Sequence, residues 1–232
     1  MFTIRPAMER GATRAGWLDS RHSFSFADYH DLQHMGVSSL RVLNEDRVDP
    51  GAGFPPHGHR DMETVSIVLD GAMQHRDSTG GGALLQPGEV QLMHAGSGVS
   101  HSEFNASDER ALHFLQIWIL PAHRGGQPGY VQRTFFEVGE GSAVRRILDP
   151  DGNDGALPVR QDVRGWQVRL QAGERLDLPL KAQRQGWLQV ARGEMTIGGL
   201  QLGAGDGLHI RDEAYPSVQA TIDAEFVFFD LA

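Results

Sequence analysis

The chain has 232 residues, a net charge of −9 with histidine neutral, a single lysine (Lys181) and no cysteine. That length accommodates one large all-β domain or two modest ones, each with its own core. The acidic balance and the lack of a Lys/Arg block argue against direct nucleic-acid binding, and no disulfide or thiolate chemistry is available.

No apolar run reaches the roughly eighteen residues of a membrane span. The first residues, Met1 to Ser20, lack the apolar centre of a secretory signal, and Glu9 and Asp19 interrupt what could be an arginine-bearing transit peptide. A cytoplasmic location is the expectation.

Short apolar runs alternate with turn signals from residue 64 onward: Thr64–Leu69 before Asp70-Gly71, Ala83–Leu85 before Pro87-Gly88, Val90–Met93 before Ala95-Gly96, and Leu112–Leu120 before Pro121. This rhythm predicts a β-sandwich or barrel, with Asp70-Gly71 as a two-residue hairpin turn. The Gly-, Pro- and Asp-rich stretch from His123 to Pro158 reads as a connecting segment. Strand rhythm then resumes at Trp166–Leu170, Gly186–Arg192, Met195–Ile197 and Ala224–Leu231. Two similar β units in tandem are expected, and the second contains neither an HxH nor an HxE.

Two short stretches of the first unit carry chemistry. In His57-Gly58-His59 and His101-Ser102-Glu103 the functional side chains are two residues apart, so on a strand each pair points to one face. Face to face inside a barrel they would form a three-histidine, one-carboxylate site, a nitrogen/oxygen set suited to a first-row divalent transition metal. Taken alone, an HxH is more often two polar loop residues, here after Pro55-Pro56. The second pair at matching spacing is what favours the metal. Such a set leaves coordination positions open, as a reactive site requires.

The flanking residues resemble the cupin superfamily. Gly51, His57, His59, Glu63 and Gly71 match its first motif, with one extra residue after Glu63. Gly98, His101 and Asn105 match its second, with Gly96 where proline is usual. Closer is the resemblance to the pirin family, carried by His57-Gly58-His59-Arg60, Glu63-Thr64-Val65, Leu69-Asp70-Gly71, His75-Arg76-Asp77-Ser78, Gly88-Glu89-Val90-Gln91, Ala95-Gly96-Ser97-Gly98-Val99-Ser100-His101-Ser102-Glu103, Leu115-Gln116-Ile117-Trp118-Ile119 and Pro128-Gly129-Tyr130. These motifs span roughly residues 40 to 135, and together they are specific where a lone HxH is not. Gly58, often proline in the family, and His94, where a small polar residue is common, depart from it.

The resemblance implies an all-β bicupin of two tandem antiparallel β-barrels: residues 1–130 with the metal and residues 131–232 as a degenerate cupin without one. It implies His57, His59, His101 and Glu103 as ligands to one divalent metal. Fe(II) is expected first, with Ni, Co, Mn, Cu or Zn as alternatives. Glu63 then falls to a supporting or structural role. Bacterial pirins of this type imply a quercetin 2,3-dioxygenase that opens flavonol-like substrates with O2, Glu103 serving also as the base for the substrate hydroxyl. The other class of function is a redox- or metal-responsive regulator acting through protein partners without turnover. An isomerase or decarboxylase, known among other cupins, finds no support in the pirin-specific residues.

The remaining histidines, His22, His30, His34, His113, His123 and His209, lack spaced partners and are expected to be satisfied or at the surface. His75 is a candidate for shaping the barrel mouth, and His94 for a buried or ligand-bonding role; for both, plain burial is favoured. Arg60 and Gln116 are candidates to steady the ligands, Arg60 through a carboxylate because it can only donate. Phe54, Met93 and Phe104 could line an apolar pocket, though such residues in a barrel are more often plain core.

Overall fold

The computed structural model describes residues 1–137 and 139–232 and is built almost wholly of strands in two seven-stranded and two four-stranded sheets. The first large sheet runs Gly129–Thr134, Glu89–His94, Glu63–Asp70, Leu112–Ile119, Leu40–Val48, Leu18–His22, Gly11–Arg14 from edge to edge. Opposite it stand Gly53–His59, Val99–Asn105, Met73–Asp77 and Gly82–Leu85. The second large sheet runs Phe2–Arg5, Gly207–Ile210, Gln185–Arg192, Ala224–Leu231, Val163–Leu170, Ala143–Asp149, Leu157–Pro158. Its partner holds Arg175–Asp177, Ser217–Ala220, Glu194–Ile197 and Leu200–Gly203.

Each large sheet buries both faces, which explains its nearly continuous apolar strands. Along Glu63–Asp70, Val65, Ile67 and Leu69 pack with Leu43, Leu115 and Ile117 against Ile147, Trp187, Val227 and Phe229 of the second sheet. The alternate residues of the same strands face into the barrel. The strand Val99–Asn105 is different: His101, Glu103 and Asn105 are buried while Ser100 and Phe104 are exposed, the period-two pattern of a sheet with one wet face.

Three expectations are corrected by the structure. The stretch from His123 to Pro158 is no mere connection, since it contains Gly129–Thr134 and Ala143–Asp149, one in each large sheet. Both runs are short and flanked by turn residues, so their strand character comes from an available sheet neighbour more than from local pattern. Asp70-Gly71 does not close a hairpin. The strand before it pairs with Leu112–Ile119 and Glu89–His94, the strand after it with Val99–Asn105 and Gly82–Leu85, so the chain turns a corner between sheets. Gly71 sits there at φ +82°, where a Cβ would come within 2.8 Å of Ala111 O. Phe104 is 37 % exposed, on the opposite face of its strand from Glu103, and Met93 is buried in a separate cluster with Ala95 and Val99. Neither lines the cavity described below; Phe54 does.

The N-terminal strand crosses to the second unit. Phe2–Arg5 pairs with Gly207–Ile210 of the second sheet, and the expected boundary at residue 130 falls inside Gly129–Thr134, a strand of the first.

Candidate metal centre

The two histidine-bearing stretches are neighbouring antiparallel strands. His57 lies directly across from His101, and His59 from Val99. Between His101 and Glu103 the register slips, with Glu103 opposite Phe54. The slip falls at Pro55-Pro56, which cannot donate to the ladder and so suit a bulge.

The imidazoles of His57, His59 and His101 form a triangle with ring centroids 4.5–4.9 Å apart. Their nearest nitrogens all lie within 4.8 Å of one another, and a second triple, His75, His101 and Glu103, meets the same limit. The structure thus groups His57 and His59 with His101, and Glu103 with His101 and His75; His101 is common to both triples.

Hydrogen bonds orient these rings. His57 Nδ1 lies 2.9 Å from Pro55 O, which can only accept, so Nδ1 carries the proton and Nε2 keeps a free lone pair. His75 Nε2 meets Asp77 Oδ2 at 3.2 Å, and His75 Nδ1 meets His101 Nδ1 at 3.5 Å. With the His75 proton on Nε2 toward the carboxylate, its Nδ1 is an acceptor, reached by Gln91 Nε2 at 3.4 Å and by His101 Nδ1. The buried Nε2 of His101 has no partner in the protein. Burial, reinforced by the charge of His57, lowers His59 to about 4; burial, reinforced by His57, His59 and His75, lowers His101 to about 3. Neutral imidazoles and an orphaned buried nitrogen are what a metal needs. The residues fit one.

Glu103 is fully enclosed. Its Oε2 accepts from Gln116 Nε2 at 2.8 Å, and its Oε1 lies 3.2 Å from Ser66 Oγ, whose one hydrogen is shared with Gln116 Oε1 at 3.0 Å. Burial raises its carboxyl above the ordinary range despite the Gln116 bond. These two supports belong to a row of inward polar residues across adjacent strands of the large sheet: His22, Asn44, Gln116, Ser66 and Gln91 stand opposite one another in turn. His22 is bonded on both nitrogens, to Thr13 and Asn44. Beside the site opens a cavity of about 110 Å³, whose lining includes His57, His59, Glu103, Gln116, Asp46, Leu18, Phe26, Phe54 and Trp118.

Sequence reasoning underweighted two groups. His75 is completely buried between His101 and the Tyr130 ring, not at the mouth. Its i, i+2 spacing to Asp77 was the available signal. Asp46 sits in a run, Asn44-Glu45-Asp46-Arg47, that reads as solvated and gave no local sign of facing a cavity. Glu63 accepts from His94 Nδ1 at 2.6 Å and from the Arg160 backbone at 3.0 Å, tying the metal barrel to the second unit. Arg60 makes no hydrogen bond or ion pair with the site carboxylates among the described residues and lines an outer groove with Ser78 and Ser100.

Two β-barrels in tandem, one with a histidine cluster inside, define a bicupin. The pirin family model matches residues 3–119, and that of a quercetinase C-terminal cupin domain matches residues 146–231. The chain is 44 % identical to the quercetin 2,3-dioxygenase of Escherichia coli K12 over all of this chain and 99 % of that one. It is 39 % identical to a pirin-like protein of Caulobacter vibrioides over the full length of both. Among solved structures, the E. coli bacterial pirin YhhW in complex with nickel(II) superposes with a TM-score of 0.95 at 42 % identity, covering 100 % of this chain and 99 % of that one. The chain belongs to the pirin family.

Proposed function

We propose that this chain is a metal-dependent dioxygenase of the quercetin 2,3-dioxygenase type, holding one divalent transition metal, Fe(II) first among the candidates, on His57, His59, His101 and Glu103. The observation that carries this reading is the buried, unpartnered Nε2 of His101 facing two further imidazoles and a carboxylate beside an aromatic-walled cavity. The relatives point the same way: one is named for quercetin dioxygenation, and a close structural neighbour binds nickel(II).

When bound, the metal supplies a Lewis acid with open coordination positions. The protein does the rest. Phe26, Phe54, Trp118 and Leu18 form apolar walls that hold a flat aromatic ligand and keep water out. Glu103 takes the proton of the substrate's enolic hydroxyl at Oε1, the oxygen with the longer protein bond, while Gln116 continues to donate to Oε2. Its raised affinity for protons suits it to that exchange. The electron-rich substrate then takes up both atoms of dioxygen and releases carbon monoxide.

The test is to mix metal-loaded protein with quercetin in air and follow flavonol absorbance and carbon monoxide. Turnover that disappears in Glu103→Gln with the fold intact is expected. No turnover with Fe, Mn, Co, Ni or Cu contradicts the reading.

A further inference from the structure

The cavity has a second polar pole that the metal ligands do not use. Asp46 lies on Leu40–Val48, one strand from Gln116, and is directly opposite Ser20 on the next strand toward the edge. It is only 3 % exposed and lines the cavity. Ser20 Oγ donates to its Oδ1, while no protein donor reaches Oδ2 and no cation pairs with it among the described residues.

The preceding residue sharpens the contrast. Glu45 points to the opposite face and is equally enclosed, yet it is paired with Arg10 at 2.8 Å and His113 at 2.9 Å. A buried carboxyl normally acquires such partners, because leaving it without them is unfavourable. The strand thus carries two adjacent buried carboxyls, one saturated by the protein and one left with an oxygen free toward the cavity. Apolar rings, Phe26, Phe54 and Trp118, line the same space. Asp46's strand is the immediate neighbour of Gln116's, about 5 Å away, and Asp46 stands two positions beyond Asn44, the residue paired with Gln116, so its carboxyl is offset from the support of Glu103 both across and along the sheet.

We propose that Asp46 is a specificity-determining residue, its Oδ2 accepting a hydrogen bond from a phenolic hydroxyl of the ligand other than the one at the histidine cluster. The ligand class is then a polyhydroxylated aromatic, with one oxygen at the metal end and a hydroxyl at the Asp46 end. This rests on the flavonol reading above and adds to it which flavonols the cavity selects.

The test compares 3-hydroxyflavone, which has the 3-hydroxyl but none on the two benzene rings, with quercetin, by anaerobic absorbance titration of the metal-loaded full chain. Wild-type protein is expected to bind quercetin about tenfold more tightly, the worth of one well-made buried hydrogen bond. Asp46→Leu brings the ratio close to one, and Asp46→Asn lowers it too, because its oxygen keeps the Ser20 bond and its NH2, a donor, replaces the accepting Oδ2. Should the Leu variant not fold, Asp46→Ser, too short to reach, gives the same collapse. In air the same preference appears in KM and not in kcat. A wild-type ratio near one, or a ratio that survives Asp46→Leu or Asp46→Ser, overturns the assignment. Selective binding without oxygen consumption would leave Asp46 in place and remove the dioxygenase reading; failure to bind either compound removes both.

Discussion

The two barrels share one plan and differ in what faces inward. In the first, the central strands of the large sheet present Asn44, Gln116 and Ser66 to the interior, in register with one another and beneath Glu103. In the second, the matching strands present Trp166, Phe228 and Leu188, and beside them Val168, Phe226 and Val190. The second interior is filled: a Cβ added at Gly186 would meet Phe228, Leu180 and Ile210 at 3.0–3.2 Å. Among the described residues, both groups of metal-capable side chains lie in the first barrel. The scaffold is therefore indifferent to chemistry, and a handful of inward positions decides between a packed core and a reactive site. A polar interior also has to satisfy itself, which is why Glu103, Gln116 and Ser66 are bonded to one another.

The comparison can be broken or sharpened by substitution. The largest effect expected is in the second barrel. Phe228→Ala should lower the unfolding free energy by about 3–5 kcal/mol in denaturant titrations, because it leaves a cavity in a close-packed core. Metal content per folded chain should not change; if it falls, packing of the second interior also shapes the site in the first.

Next comes Asp46 in the metal-free protein. Burial, with Glu103 and Glu45 nearby and against the Ser20 bond, raises its carboxyl from 3.8 to about 7. A group whose folded-state value is raised favours the folded state at low pH, and that contribution is lost as pH rises from about 4 to about 7. Asp46→Asn should therefore match wild type near pH 4 and exceed it near pH 8 by about 2–4 kcal/mol, at about 1.4 kcal/mol per unit. A difference independent of pH would show that the carboxyl is ordinary.

How much of this was legible in the sequence follows from the same alternation. His57, His59, His101 and Glu103 stood out because a spacing of two names one face of a strand without any knowledge of the partner sheet. His22, Asn44, Gln116, Ser66 and Gln91 did not, because their common row exists only once five strands are in register. The run Asn44-Glu45-Asp46-Arg47 shows the difficulty most plainly: three polar residues buried on two faces of one strand look like solvent-facing sequence. Likewise Gly129–Thr134 has little apolar content, and becomes a strand by pairing along Glu89–His94.

Smaller effects concern the residues that orient the ligands. Gln116→Leu removes the donor to Glu103 Oε2 and should weaken metal binding about ten- to hundredfold in competition with a chelator. Asp77→Asn loosens the His75 ring that positions His101 and should cost about tenfold in the same assay, with fold stability nearly unchanged. Unchanged affinity in both would mean that these contacts serve packing alone.

The most direct measurement is the metal stoichiometry of the purified chain, by elemental analysis after loading and removal of excess ion, for wild type and for His101→Ala. One ion per chain in the wild type and none in the variant is the expected result. Two ions per chain, or one ion retained without His101, would contradict a single centre in the first barrel.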